Sequence, residues 1–310
     1  MKRRHVIGLG LVLMFMIAPS ILAQLRFSED EKKVTLTILD GPLPVMTYQY
    51  GDLLGNGVDP RYTRSCYIHP LYSLDGLVIL TEDFPKDHLH HRGLFWTWPV
   101  AKTRGQDTQT WHPVDPSLRQ HFVRWLERKV DRGVATLAME NAWKLAGREV
   151  VARERVKLGI HPASEAGRAI DIEIVLEALG GPLELRGAPD QNKGYGGLCL
   201  RGAPLFTGAV MTTDKGPLEK DVTNVPYRWA DISTPERGVA IFVSPDHPGF
   251  LLHWLIRNSY AGVLNPSWPG NKTTVLEPGS PVSLRYRIYI HRGDAVSGRV
   301  EQAYSAYVSR

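Results

Sequence analysis

Cysteine is scarce in this chain, which has only Cys66 and Cys199 among its 310 residues. An oxidising compartment would permit one disulfide between them, but their separation in sequence says nothing about their distance in space. No cysteine lies near the N-terminal apolar segment, which argues against a lipoprotein. The cysteines alone therefore leave the pairing open.

A broad excess of one charge is also missing. The chain has 37 lysines and arginines against 32 acids, a formal net charge of +5. Removing residues 1–23 deletes three basic residues and no acidic ones, so the net charge falls from +5 to +2. This is not the basic field on which nucleic-acid binding relies, so we expect no nucleic-acid partner.

Long apolar runs are limited to the N terminus. Basic residues 2–4 precede the apolar run Val6–Ala18, and small residues follow at Ser20 and Ala23. This pattern predicts a secretory signal peptide over residues 1–23, cleaved after Ala23, and a secreted or periplasmic protein. The run is shorter than the roughly 20 residues that cross a bilayer. An uncleaved anchor is the alternative, and no later segment predicts a transmembrane span.

Helical periodicity is nearly absent, and period-two alternation is frequent. Ile170, Ile172, Ile174 and Leu176 alternate with polar residues, which predicts a strand with one buried face. Further strands are expected over residues 34–39, 45–50, 94–98, 121–130, 134–145, 150–160, 169–179, 208–213, 239–243, 250–257 and 283–291.

One helix is expected near the end, capped by Asp294 and carrying Val296, Val300, Tyr304 and Tyr307. The predicted fold class is all-β: a large antiparallel β-sandwich, or supersandwich, with a short C-terminal helix. We expect a single domain over residues 24–310, because no repeat or linker divides the chain.

The residues best suited to chemistry lie in the segment Asp83–Trp98. Three of the eleven histidines are here, at His88, His90 and His91, followed by Arg92. If the chain is extended, His88 and His90 point one way and His91 the other. A His-x-His pair can present two imidazoles to a divalent metal, which makes His88 and His90 the predicted ligands if the protein is metal-dependent. Side chains of suitable type for a third ligand are Asp83, Asp87, His112 and His253.

Metal-free acid–base chemistry is the other functional interpretation. Imidazole titrates near neutral pH, so His90 or His91 could exchange a proton with a sugar, with Glu277 as a partner. Arg92 could bind an anionic group such as a uronate through two hydrogen bonds. The structural alternative is that the histidines satisfy loop backbone groups and that Arg92 pairs with Asp83 or Asp87.

Aromatic and polar residues elsewhere are candidates for substrate binding. Aromatic faces can stack on the C–H face of a sugar, although large aromatics are equally typical of a sandwich core. The glycine-rich loop 190–197 would allow a close backbone approach to a ligand. Together with His88, the predicted substrate-binding residues are Trp96, Trp111, Asn192, Lys193, Tyr195, His253 and Trp268, the last in a rim loop.

Five segments together resemble a family of secreted bacterial proteins named "methane oxygenase PmoA-like", a domain of unknown function. In this chain the matching segments read Tyr67-Ile-His-Pro-Leu-Tyr, His88-Leu-His-His-Arg-Gly-Leu-Phe-Trp, Gly194-Tyr-Gly-Gly-Leu-Cys-Leu-Arg, Gly238-Val-Ala-Ile-Phe and Leu284-Arg-Tyr-Arg-Ile-Tyr-Ile-His. The resemblance covers most of the chain after residue 60, and His-x-His-His-Arg-Gly is its most specific motif.

A shorter segment, Leu276-Glu-Pro-Gly-Ser before an alternating strand, resembles the galactose-mutarotase-like supersandwich proteins. That resemblance implies sugar chemistry by histidines and carboxylates on a concave sheet. We therefore predict a secreted carbohydrate-active enzyme, a hydrolase, lyase or epimerase, whose partner is a small or polymeric carbohydrate. The alternatives are a metal-dependent enzyme, including an oxygenase, and a non-catalytic carbohydrate-binding module.

Overall fold

The computed structural model describes residues 24–259 and 262–309. The predicted signal peptide lies outside the described residues. The described strands, in chain order, are β1 (Leu25–Asp30), β2 (Thr35–Asp40), β3 (Leu43–Gln49), β4 (Tyr67–Leu71), β5 (Leu94–Thr97), β6 (Val100–Thr103), β7 (Gln106–Thr108), β8 (Leu118–Asp131), β9 (Val134–Leu145), β10 (Glu149–Ile160), β11 (Gly167–Ala178), β12 (Leu183–Arg186), β13 (Gly197–Arg201), β14 (Val210–Thr213), β15 (Gly216–Pro217), β16 (Val222–Pro226), β17 (Trp229–Ser233), β18 (Arg237–Val243), β19 (His253–Arg257), β20 (Val263–Ser267), β21 (Thr274–Leu276) and β22 (Val282–Arg292).

The described helices are few and short. The one α-helix is α1 (Val300–Val308), and single 3₁₀ turns lie at Pro60–Tyr62, Asp190–Asn192 and Pro204–Phe206. No helix in the described part of the chain is both long and apolar enough to cross a bilayer.

The described strands form three antiparallel sheets. The first has nine strands in the order β1-β2-β3-β4-β5-β13-β20-β19-β16, and the second has nine in the order β15-β14-β17-β18-β22-β11-β10-β9-β8. A third, smaller sheet has the order β21-β12-β6-β7. The predicted all-β class, with a large antiparallel sandwich and a short C-terminal helix, is confirmed.

The long meander β8–β11 follows directly from sequence alternation. Strand β9 covers the predicted residues 134–145, and its neighbours differ from prediction by a few residues at their ends. The turns that join them place Arg132 and Ala146 at positive φ, each followed by glycine. These connections are short, as antiparallel neighbours require.

The main core lies between the two large sheets. The alternating residues Ile170, Ile172, Ile174 and Leu176 of β11 are 0–2% exposed and pack in this core. Trp96 of β5 belongs to the same cluster. Residues from both large sheets contribute to it, while the assignment of one domain to residues 24–310 stays a prediction.

The first sheet also has a covered outer face, turned away from the main core. Because side chains alternate along a strand, Phe95 lies opposite Trp96, and Cys199 lies opposite the core residues Leu198 and Leu200. Phe95 and Cys199 form a second apolar cluster with Tyr67, Trp111 and Val263. This outer face carries the candidate site.

Cys66 and Cys199 are both buried free thiols. Cys66 packs in the main core and Cys199 on the outer face. Burial raises the pKa of each thiol well above its usual value. Both are therefore apolar packing groups in this structure.

The C-terminal helix begins later than predicted. Oδ1 of Asp294 accepts a hydrogen bond from Ser297 N, but residues 294–299 form turns, and Val296 is 83% exposed. The helix starts only after Arg299, which has φ 53°. A left-handed residue is strongly disfavoured inside an α-helix, so Asp294 caps a turn. Val300 and Tyr304 are the buried residues of the helix, and the partly buried Ala303 and Tyr307 pack against the same cluster.

Candidate functional site

The histidine-rich segment lies in the connection between β4 and β5 and is not extended. His88 N donates to Pro85 O and His91 N donates to His88 O, which closes two successive turns. The expectation that His91 points away from His88 and His90 is therefore wrong. The turns bring all three rings to one side.

Four imidazoles meet at this point, and we call His88, His90, His91 and His112 the histidine cluster. Ring centroids are 4.1 Å apart for His90 and His112, 4.5 Å for His90 and His91, and 4.8 Å for His88 and His91. His112 comes from the loop after β7, so the cluster joins two separate parts of the chain. His112 was a candidate by residue type alone, and the fold brings it into the group.

The histidine cluster lines a cleft of about 160 Å³, which we call the histidine cleft. Its other lining residues come from the aromatic and glycine-rich loops and from β19 and β20: Trp111, Lys193, Tyr195, Leu255, Arg257 and Val263. No Asp or Glu lines the cleft among the described residues. Its polar groups are therefore imidazoles, one phenol and two cationic side chains.

An aromatic wall bounds the cleft. The rings of Trp111 and Tyr195 lie 4.8 Å apart, and Trp111 also contacts His91 and Phe95 at 5.7 and 5.4 Å. Trp111 is only 3% exposed, because the outer-face cluster packs beneath it. The wall is thus held by apolar packing as well as by ring contacts.

Burial keeps most of the cluster neutral. Burial lowers the pKa of His90 to about 2, with further lowering from His112 and Arg64. The pKa values of His91 and His112 are also lowered, first by burial and then by neighbouring histidines or Arg64. At neutral pH these rings are uncharged, and each presents one N–H donor and one acceptor.

His88 has a carboxylate beside it. Nδ1 of His88 lies 2.9 Å from Oδ2 of Asp87, and Arg201 of β13 binds both oxygens of Asp87 at 2.9–3.2 Å. Partial burial raises the pKa of Asp87, but the contact with His88 and the charge of Arg201 outweigh it and hold this pKa below its usual value. Asp87 is thus a charged carboxylate positioned to orient one imidazole.

Arg92 does not reach the cleft. Its side chain is fully buried, with Nη1 3.4 Å from Asp83 Oδ1, Nη2 bonded to Tyr62 O and the guanidinium 3.1 Å from the Phe84 ring centroid. This pairing of Arg92 with Asp83 is the one that the structural alternative predicted. Its expected role in holding an anionic substrate is corrected, because its charge is enclosed by protein groups.

Comparison with known families assigns the chain to one of them. The model of DUF6807, a family of unknown function, matches residues 33–305. The chain belongs to family DUF6807. The expectation of a domain of unknown function is confirmed, whereas the PmoA-like name stays a prediction.

Two further comparisons give little more. No curated protein matches this DUF6807 chain significantly. It is similar in structure to a galactose mutarotase related enzyme from Lactobacillus acidophilus, with 7% identity, a TM-score of 0.39, and coverage of 86% of this chain and 97% of that one. Similarity at this level does not bear on the reaction.

The predicted substrate-binding residues of the DUF6807 chain divide into three places. His88, Trp111, Lys193 and Tyr195 line the histidine cleft, where Lys193 Nζ bonds Asp190 Oδ2 at 2.8 Å. Asn192, His253 and Trp268 line a second pocket, although Trp268 also packs in the main core. Trp96 lies in the main core alone.

Trp96, Trp268 and Glu277 lie where their predicted roles do not fit. Trp96 is 1% exposed in the main core and cannot stack on a ligand. Trp268 is 4% exposed, so its expected exposure on a rim is wrong. Glu277 is exposed in the connection from β21 to β22 and lines neither pocket, so the structure does not bring it to the histidines.

The described donors do not fit a three-ligand metal site. Among them, no group of three or more His, Cys, Asp or Glu side chains could hold a metal ion. The proposed ligand pair, His88 and His90, has ring centroids 5.5 Å apart at an interplanar angle of 68°. Among the described residues, no third side chain completes a metal site with His88 and His90.

Three cleft residues and one charge partner were missed by the sequence analysis. Leu255, Arg257 and Val263 reach the cleft because β19 pairs with β20, and Arg201 reaches Asp87 from β13. The available signal was the alternation of side chains along one strand, which places His253, Leu255 and Arg257 on the same outward face.

Proposed function

We propose that this DUF6807 chain is a carbohydrate-active enzyme in which His88 is the acid–base group. The observation that carries the proposal is the Asp87–His88 contact of 2.9 Å at an aromatic-walled cleft. The negative charge of a carboxylate 2.9 Å from Nδ1 favours the tautomer with its proton on Nδ1, so that Nε2 is the basic nitrogen. His88 Nε2 would then take a proton from the substrate or return one to it.

The chemistry of the cleft supports a sugar. Neutral imidazoles offer donors and acceptors in pairs, as sugar hydroxyls do, and Nδ1 of His91 is buried with no hydrogen-bond partner among the described residues. Tyr195, which is half-buried, supplies an apolar face for C–H groups, and the buried ring of Trp111 supports it. His90 and His91, predicted as catalytic, are better suited to hydrogen bonding, because burial lowers their pKa values.

The missing carboxylates favour some reactions over others. Most glycoside hydrolases use two carboxylates flanking the bond, and no Asp or Glu lines the described cleft. Proton removal from a sugar carbon, as in a lyase or epimerase, needs one base and a returned proton. Within the carbohydrate-active class we therefore favour a lyase or epimerase. The predicted signal peptide supports a secreted or periplasmic setting.

The test is turnover of a sugar panel in deuterated water by wild type and His88→Gln. NMR would follow both new products and deuterium entering carbon positions. We expect His88→Gln to lower kcat at least about 100-fold, the usual contribution of general acid–base catalysis. The matched control is His161→Gln, since His161 also contacts a carboxylate, Asp171 at 2.7 Å, but lies outside the cleft. Equal turnover by His88→Gln and His161→Gln would reject the role of His88.

A non-catalytic carbohydrate-binding module is the second candidate, favoured by the half-buried ring of Tyr195 at the cleft. It predicts that no sugar is turned over and that sugar binding survives His88→Gln. Binding that is lost only in Tyr195→Ala would support the module. Turnover of any panel sugar by the wild type would reject it.

A further inference from the structure

A second pocket lies on the same outer face and is larger than the histidine cleft. Its volume is about 700 Å³, against about 160 Å³ for the histidine cleft. It is bounded by one end of the β19–β20 pair and by the loops 248–252 and 268–272. A volume of this size falls in the range of small-molecule sites.

The two pockets are neighbours along β19, and we call the pair of pockets the groove. His253, Leu255 and Arg257 alternate on the outward face of this strand; His253 lines the second pocket, and Leu255 and Arg257 line the histidine cleft. Four residues of a strand span about 13 Å. The loop before β13 repeats the arrangement, because Asn192 lines the second pocket and the next residue, Lys193, lines the cleft.

The lining of the second pocket suits a hydroxyl-bearing ligand. Its polar side chains are mainly amides, hydroxyls and one imidazole, with one cationic side chain, Lys272, and no Asp or Glu lines it among the described residues. Asn224 Oδ1 lies 2.7 Å from Nδ1 of His253, so these two polar side chains are held together at the pocket. Phe250 adds an aromatic ring that is 37% exposed. Amide and hydroxyl groups beside an exposed ring match the polar edge and apolar face of a sugar.

We propose that the second pocket is a saccharide-binding subsite, which makes the substrate an oligosaccharide or glycoside of at least two units. The reacting unit occupies the histidine cleft, and a further sugar unit occupies the second pocket. This inference rests on the proposed function for the identity of the cleft ligand. It adds Phe250 and Asn224 as binding residues and assigns His253 to the distal unit.

The test is calorimetric binding of gluco-, manno- and xylo-oligosaccharides of one to six units. For at least one series we expect wild-type affinity to rise with chain length. Phe250→Ala should weaken the longer members about tenfold, the loss of about one ring contact. His253→Ala, which changes an exposed side chain, should reduce the same length dependence. The control is Leu43→Ala, because Leu43 has the same 37% exposure and does not line the groove.

Affinity that does not depend on length in any series, or a length dependence unchanged in both Phe250→Ala and His253→Ala, would overturn the subsite. Binding does not require turnover, so this result is separate from the proposed function. Length-dependent binding by an inactive protein would reject the enzyme and keep the subsite. Turnover of single sugars, together with affinity that does not depend on chain length, would keep the enzyme and reject the subsite.

Discussion

Two groups of buried histidines show how one residue type serves two purposes. In the second sheet and its neighbouring loop, His291 and His247 are 1–2% exposed and fully paired. His291 Nε2 lies 2.7 Å from Asp231 Oδ1, and His247 Nε2 lies 2.8 Å from Tyr286 OH. In the histidine cluster, His90 and His91 are comparably buried but contact mainly other rings.

The difference lies in the partners rather than in burial. A buried polar group without a partner costs free energy, and completion by a ligand is one reason for a protein to retain such a group. Nδ1 of His91 is such a group among the described residues, whereas His291 has a bond at each nitrogen. We infer that the paired histidines stabilise the sandwich and that the cluster is arranged for binding.

The largest expected effect is the loss of a buried pair. His291→Phe removes the partner of Asp231, whose side chain is 0% exposed. Leaving one member of such a pair buried should lower the free energy of unfolding by about 3–5 kcal/mol. Urea unfolding followed by circular dichroism measures this change. A loss below about 1 kcal/mol would mean that the pair is not structurally important.

The pH dependence of stability tests the second paired histidine. Burial lowers the pKa of His247 to about 4, and the bond to Pro248 O offsets only part of this. Since the unfolded imidazole titrates near 6.5, the unfolded state binds more protons as the pH falls below that value. Wild type should therefore lose roughly 2 kcal/mol through His247 between pH 7 and pH 5.

The matched variant for that experiment is His247→Gln, which removes the titrating group and keeps a polar side chain. Its free energy of unfolding should be lower at pH 7 and should fall less steeply towards pH 5. Parallel pH curves for the two proteins would show that His247 does not titrate as its burial implies.

In the histidine cluster, we expect a substitution to change the free energy of unfolding in the opposite direction. His91→Phe keeps a ring beside Phe95 and Trp111 but removes the unpartnered nitrogen. Stability should stay the same or rise by about 1 kcal/mol, because an apolar group of similar shape replaces an unsatisfied one. Affinity for the panel sugar should fall. A destabilisation as large as that of His291→Phe would erase the distinction between the two groups.

The smallest effect is expected outside both groups. Glu277 is exposed and lines neither pocket. Glu277→Gln should change the free energy of unfolding by no more than about 0.5 kcal/mol. Turnover of the panel sugar should be unchanged. A large loss of turnover would support Glu277 as the acid–base partner of the histidines, as the sequence suggested.

Long alternating strands could be read from the sequence because burial on one face imposes a period of two. This is why β9 was predicted at its observed bounds and β11 with the correct buried face. The third sheet was missed, since β6, β7, β12 and β21 have three or four residues each, which is too short for alternation to be distinguished from chance.

The candidate site was predictable only where it is local in sequence. His88, His90 and His91 adjoin one another, and the glycine-rich loop marked Lys193 and Tyr195. The turns that reverse His91 depend on backbone hydrogen bonds, which no residue pattern revealed. Arg257 and Arg201 reach the site through strand pairing between distant segments, and pairing of that kind is set by the whole fold.

The most direct test of the account is a long-range ¹H–¹⁵N spectrum of the histidine side chains, recorded while adding the panel sugar that the wild type turns over fastest. We predict that imidazole signals of His88, His90, His91 and His112 shift on addition, while those of His247 and His291 do not. The cleft residues line the ligand space and the paired residues do not. Shifts confined to His247 and His291, or unchanged cleft signals at a saturating sugar concentration, would contradict the assignment of the cluster to binding.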